Sequence, residues 1–313
     1  DRARFLAHLL PDHAIASPGP PVQPRPVRLR GIVNGPSNAG PHHGQNALQK
    51  ALHEAKRQGR FDWLTIGGHA GPEDLIWFWA WLHVPELIAW EIQRRPFVAG
   101  PNICFQSAHR PFSAAGEKRV CWSPLCRVIF TESLWYAQLI QKHLGPLSSA
   151  EVVIWPYPID PQPDGPVNAD FDLLIFNKHG GAALIDQLRE NFPRHAYLKY
   201  GKYQRPQLFD AARRSRACVY ISRDDRGPLA LAEILLAGCP VVGVFRGAPF
   251  IDQGRTGLYA EALDAAHLPE IRLAVEDLHE WDREAVREVA LGRFSTEKTL
   301  ATIEASLERA RRI

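Results

Sequence analysis

No stretch of this chain approaches the ~20 consecutive apolar residues that a membrane-crossing helix needs. The most hydrophobic run, LIWFWAWLHV at 75–84, is half that length. Cysteine is scarce: five, at positions 104, 121, 126, 218 and 239, an odd number with no C-x-x-C. That argues for free thiols in a reducing cytosol rather than a disulfide framework. An excess of one charge is missing too, since 37 basic residues stand against 34 acidic ones for a net +3, too balanced for a protein that coats nucleic acid. Thirteen histidines form neither H-E-x-x-H nor a Cys/His zinc spacing, and there is no G-x-S-x-G elbow and no Walker loop. The opening DRARFLAHLLPDH has no small-residue cleavage site and does not read as a signal peptide. The expectation is a cytoplasmic protein with no membrane span, no nucleic-acid partner, no bound metal and no cofactor.

What is present is ordinary globular composition, 45% hydrophobic and 23% charged over 313 residues. At roughly 150 residues per domain, that length suggests two. Residues 1–26 form an extension ending in the proline-rich SPGPPVQPRP. From 27 onward, strand and helix patterns alternate. VRLRGIV (27–33), FDWLTIGG (61–68), RPFVAGPNICF (95–105) and RVIFTES (127–133) read as strands. QNALQKALHEAKRQG (45–59) and LWYAQLIQKHLG (134–145) read as helices, and 72–94 is helical in pattern though broken by Pro85. Trp77, Trp79, Trp81 and Trp90 would then stand on a buried or acceptor-lining helix, with peripheral membrane contact as the alternative. The prolines of 156–166 mark a linker, after which FDLLIF, HAYLKYG, ACVYIS and PVVGVF alternate with helices again. The spacing predicts an α/β fold: one Rossmann-like domain over 27–155, a second over 167–290, and a last helix over 291–313 that could pack back on the first domain. A cleft between the domains is the default ligand site, because open parallel sheets bind at the carboxyl ends of their strands.

The chemistry concentrates in ISRDDRGPLALAEILLAGCPVVGVFRGAPFIDQGRTGLYA (221–260). A strand ends at Ser222, a charged loop follows, and Pro228 suits a first helical turn, where no N–H donor is needed. Gly238 suits the left-handed position after the helix. The helix start at Gly227, Pro228 and Leu229, with free N–H groups and the positive dipole end, is a natural phosphate site. From Leu229 to Phe245 the only charged side chain is Glu233. Burying that carboxylate without a partner would be costly. It either takes a ligand or is solvated or paired with Arg226 or Arg246.

The stretches AEILLAGCPVVG (232–243) and GRTGLY (254–259) resemble the retaining, nucleotide-sugar-dependent glycosyltransferases of family 4, which have the GT-B fold. IFTESLWYAQLIQKHLG, VVIWPYPIDP and GRFSTEKTLATIEASL are similar in outline to that family's strand–serine–helix, its linker and its C-terminal helix. The resemblance implies a fold of two Rossmann-like domains and transfer of a sugar from a UDP-, GDP- or other nucleoside diphosphate sugar. The acceptor, a saccharide, a lipid-linked or a small molecule, is not identified by it.

Carried over residue by residue, Glu233 would hold the ribose hydroxyls, and one carboxylate can accept from both hydroxyls of a cis-diol. The family's first glutamate falls on Asp225. The loop glycine leaves Asp224 as an alternative for the donor sugar. Lys178, on FNKHGG, would face the diphosphate, with Lys202 or Arg205 as a second cation. The loop NGPSNAGPHHG resembles the family's glycine-rich loop, which offers Gly35, Gly40, His42, His43 and Gly44 to the donor and acceptor. Asn102 and His109 follow the strand where the family places a histidine near the sugar. Retention of configuration, no tightly held metal and electrostatic stabilisation of the departing diphosphate are further implications. Two other classes stay open: a sugar-nucleotide epimerase of the same fold, and a non-catalytic nucleotide-sugar-binding protein.

Overall fold

The computed structural model describes residues 23–30, 40–80, 84–102, 120–155, 157–159 and 165–312. The first sheet is built from β1 (Val27–Arg30), β2 (Leu64–Ile66), β3 (Leu75–Ala80), β4 (Phe97–Asn102), β5 (Cys126–Thr131) and β6 (Glu151–Ile154), in the order β2-β1-β3-β4-β5-β6. Its helices are α1 (Gly40–Arg57), α2 (Val84–Ile92) and α3 (Leu134–Lys142). The second sheet has the order β11-β10-β9-β7-β8. Its strands are β7 (Phe171–Asn177), β8 (His195–Lys199), β9 (Ser215–Ile221), β10 (Val241–Gly243) and β11 (Gly257–Tyr259). Around it stand α4 (Ala182–Asn191), α5 (Arg205–Arg213), α6 (Leu229–Leu236), α7 (Leu268–Leu278) and α8 (Arg283–Arg293), and α9 (Thr296–Ala310) closes the chain. Every pairing in both sheets is parallel, as βαβ connections require.

One element departs from the sequence pattern. Residues 75–80, expected in a helix, form β3, hydrogen-bonded between β1 and β4. The reason is double burial. Leu75, Trp77 and Trp79 join one apolar cluster, while Ile76 and Phe78 join another on the opposite face. A central parallel strand is apolar on both sides and loses the alternation by which strands are read. Trp77 and Trp79 are therefore core residues of a strand rather than of a helix. Trp77 donates its indole N–H to the Gly100 carbonyl at 2.8 Å. Trp90 lies on α2, buried beneath the Arg95 guanidinium, and Trp81 falls outside the described residues.

A second departure is the start of α1, which takes in Gly40, His42, His43 and Gly44 rather than leaving them in a loop. Pro41 near the helix start is compatible with this, since the first turn needs no N–H from it. In the second half the punctuation works as expected: Gly238 follows α6 at φ +75°. The last helix is capped by Ser295, whose hydroxyl accepts from the Lys298 N–H at 3.2 Å. It packs against α1 and β5 of the first sheet. No helix among the described residues is long and apolar enough to cross a membrane.

Candidate functional site

A cavity of about 400 Å³ opens at the N-terminus of α6, between the two sheets. The second half of the chain supplies most of its wall. Lys178 comes from the turn after β7, Tyr200, Gly201 and Tyr203 to Pro206 from the turn after β8 and the start of α5, and Tyr220 from the end of β9. Gly227, Pro228, Leu229 and Ala230 bring the start of α6. These are carboxyl ends of adjacent parallel strands, where crossovers splay apart and leave a crevice. The first half supplies Glu132, directly after β5, and Tyr157, from the crossing between the sheets.

The α6 terminus is prepared for an anion. No side chain caps it and no acidic residue occupies its first turn, so its free N–H groups and dipole face the cavity uncompensated. Lys178 approaches from across the site. Its ammonium lies 4.8 Å from the Tyr200 ring centroid and pairs with the Asp225 carboxylate. The turn that carries it is fixed by the Lys178 N–H on the Ile221 carbonyl (2.9 Å) and by the Gly180 N–H on the Asn177 side chain (2.7 Å).

Glu233 lies one turn into α6, with its side chain 12% exposed. Its carboxylate accepts from the Arg205 guanidinium, at the start of α5. Burial pushes its pKa above the ordinary carboxylate value, and the Arg205 charge and hydrogen bond offset part of that rise. The partner is thus Arg205, not Arg226 or Arg246 as considered from sequence.

The structure brings together Glu233, Gly227, Pro228, Leu229, Lys178 and Arg205 around one cavity. It places the other candidates elsewhere. Asp225 pairs with Lys178, receives the Tyr220 hydroxyl at 3.4 Å and lies outside the cavity lining. Its backbone is held from both sides, by the Trp135 indole N–H on its carbonyl and by its own N–H on the Arg246 carbonyl, each at 2.8 Å. Asp224 pairs with Arg246 at 2.8 Å, so neither aspartate simply caps α6. Lys202 is exposed and does not line the cavity, so of the two cations expected beside Lys178 it is Arg205 that stands there. Gly44 is buried, and a Cβ on it would fall 2.5 Å from the Tyr157 ring. Gly40, His42 and His43 lie in α1 and Asn102 ends β4, their side chains outside what is described. Gly35 and His109 lie outside the described residues altogether.

Sequence reasoning missed Glu132, Tyr157, Tyr200, Tyr203 and Arg226. For Glu132 a signal existed: it is a single carboxylate after the apolar run VIFT, the same cue that singled out Glu233. Glu132 is 3% exposed. Burial raises its pKa most, and Asp225 adds to that. Arg226, its own backbone and the Tyr157 hydroxyl act against it. The site needs a close approach at Gly227, where a Cβ would lie 2.8 Å from Glu132 Cβ and Cγ.

No protein-family model matches the chain, and no curated protein matches it. Solved structures do. HepE from Anabaena in complex with UDP superposes with a TM-score of 0.57 at 14% identity, covering 90% of this chain and 99% of that one. The GtfA/B complex gives 0.57 at 11% identity over 85% of this chain, which spans only about 60% of the GtfA/B chain. The pneumococcal O-GlcNAc transferase GtfA in complex with UDP and GlcNAc gives 0.52 at 14% identity, covering 76% of this chain and 57% of that one. Likeness at such identity is likeness of fold: the chain has the two-domain GT-B fold.

Proposed function

We propose that the protein is a glycosyltransferase that takes a nucleoside diphosphate sugar as donor. The observation that carries this reading is the cavity at the uncapped α6 terminus, faced by Lys178 and with Glu233 one turn further in. A helix rises 1.5 Å per residue, so the four residues from Leu229 to Glu233 separate the two features by about 6 Å. That matches a ribose held at Glu233 and its diphosphate at the helix start. UDP, the nucleotide bound in the HepE and pneumococcal GtfA structures, is the first candidate.

In this reading the α6 dipole and Lys178 stabilise charge on the departing diphosphate, the point at which charge develops most. Lys178 exchanges its Asp225 partner for phosphate when the donor binds. With the negative charge met by these groups, transfer proceeds without a divalent ion; retention at the anomeric carbon is what the resemblance to the retaining family implies. The acceptor enters from the first-domain side, towards α1.

The test is thermal unfolding with UDP-, GDP-, ADP- and dTDP-sugars. A ligand at one hundred times its Kd adds about 2.7 kcal/mol of stability. Slow hydrolysis of the stabilising donor, unchanged by EDTA, is the expected companion. A protein stabilised by none of the four nucleotide families contradicts the proposal. A non-catalytic binding protein is the second reading, favoured by the pairing of Asp225, the carboxylate expected at the sugar, with Lys178. Tight binding without hydrolysis or transfer would select it.

A further inference from the structure

The inner end of the cavity holds two unmet polar groups of opposite character. Glu132 Oε1 accepts from the Tyr157 hydroxyl at 3.3 Å, while Oε2 is buried with no hydrogen-bond partner among the described residues. Arg226 Nη1 is likewise buried and unpartnered. Its guanidinium lies 5.3 Å from the Tyr136 ring centroid. Both residues line the cavity, and they form no ion pair with each other. An acceptor and a donor left open at one place, both desolvated, leave an unmet cost. The group that answers both is a hydroxyl, because it donates to one and accepts from the other.

Their position fixes which hydroxyl. Along α6 the cavity runs from Arg205 and Glu233, past the helix start, to Gly227 and Glu132. A nucleoside at the Glu233 end and a diphosphate at the helix start leave the Glu132 end for whatever the diphosphate carries. Asp225, the carboxylate expected at the sugar, does not line the cavity, whereas Glu132 and Arg226 do.

We infer that Glu132, delivered from the first sheet at the end of β5, is the carboxyl that binds the donor sugar, with Arg226 completing the grip on a shared hydroxyl. The sugar class is a neutral one with free hydroxyls. This rests on the nucleotide-sugar reading of the cavity. Because Glu132 belongs to one domain and Arg226 to the other, sugar binding also joins the two halves.

The test compares UDP with UDP-glucose by calorimetry, so that the sugar's own contribution is the ratio of the two affinities. The wild type should hold UDP-glucose more tightly than UDP. Glu132→Ala should lower UDP-glucose affinity about tenfold or more and leave UDP within about twofold. Glu132→Gln keeps the volume and an acceptor, so it should retain part of the ratio, and it stands in if the alanine variant does not fold. Unaltered UDP affinity reports that each variant's nucleotide site is intact. Three results would overturn the inference: equal affinity of the wild type for UDP and UDP-glucose, a ratio unchanged in both variants, or UDP and UDP-glucose affinities falling in step. If another of the four nucleotide families is the one that stabilises the protein, its nucleoside diphosphate and sugar nucleotide replace UDP and UDP-glucose. A wild type stabilised by none of the four would overturn the nucleotide-sugar reading itself.

Discussion

Removing the Glu233 carboxylate separates a ligand-binding group from a structural one. Its side chain is 12% exposed, and one of its oxygens, Oε1, is already engaged by Arg205 Nε. A ribose diol must therefore be held by the remaining oxygen and by whatever part of the Arg205 contact can be shared. A hydrogen bond to a charged group contributes about 1.5–3 kcal/mol. The Arg205 pair, 39% exposed on the arginine side, returns only about 0–1 kcal/mol when broken. Glu233→Ala should then weaken UDP binding by about 1.5–3 kcal/mol, roughly 10–150-fold in Kd at 1.4 kcal/mol per decade, read by titration calorimetry. Stability without ligand should fall by no more than about 1 kcal/mol, because a costly buried carboxylate leaves together with its pair. Arg205→Ala provides the second leg of a double-mutant cycle, and a double variant no worse than Glu233→Ala means the two act as a unit. Equal UDP affinity in wild type and Glu233→Ala refutes the reasoning, and returns Glu233 to the role of a partner for Arg205.

Asp225→Asn leaves Lys178, whose side chain is 16% exposed, without a counter-charge, and breaking such a pair costs about 3–5 kcal/mol. UDP phosphate supplies the missing charge, so the UDP-induced rise in Tm should be larger in this variant than in the wild type; an equal or smaller rise argues against phosphate reaching Lys178. Glu132→Gln tests the buried carboxyl through pH. Its folded pKa is raised chiefly by burial, against the opposing Arg226 charge, so wild-type stability from this group is complete below the unfolded pKa and is lost as pH rises through the folded one. The variant should therefore gain on the wild type in urea midpoint as pH rises above 4.5, and a difference constant with pH contradicts the assignment. Trp77→Phe strands the Gly100 carbonyl, to which the indole now donates at 2.8 Å. It should cost about 1–3 kcal/mol in denaturant unfolding, and a neutral result would mean that another donor takes over that carbonyl.

The second half of the chain was readable because its signals agree. FDLLIF and ACVYIS are apolar runs of strand length, bounded by residues that stop them, and Gly238 sits where only a left-handed residue fits the turn. The LIWFWA segment was misread for the converse reason: a strand covered on both faces carries no period, and six apolar residues fit either element. Glu233 was legible as a lone charge in an apolar stretch. Its partner was not, because Arg205 is 28 residues away and the pairing depends on how α5 leans on α6. The engagement of Asp225 was hidden for the same reason, since Lys178 lies 47 residues away. Glu132 meets Gly227 across the two halves of the molecule, a contact that no local pattern encodes.

The course of the last helix has a mechanical consequence. The chain passes from the first half to the second near 155–165, and returns between α8 and α9, at Phe294 and Ser295. The two crossings touch, with the Ile159 N–H on the Phe294 carbonyl at 3.3 Å. Beyond the return, α9 is riveted to the first half by Arg60 on Glu297 and Glu304, by Arg309 on Glu151, and by the Arg311 side chain on the Arg25 carbonyl. A body joined by a single strap can tumble; one joined by two adjacent straps keeps chiefly the swing about the line through them. The two halves are thus pinned along a defined line, and Glu132 and Arg226 stand one on each half, so that how the halves are set about that line fixes the gap between them.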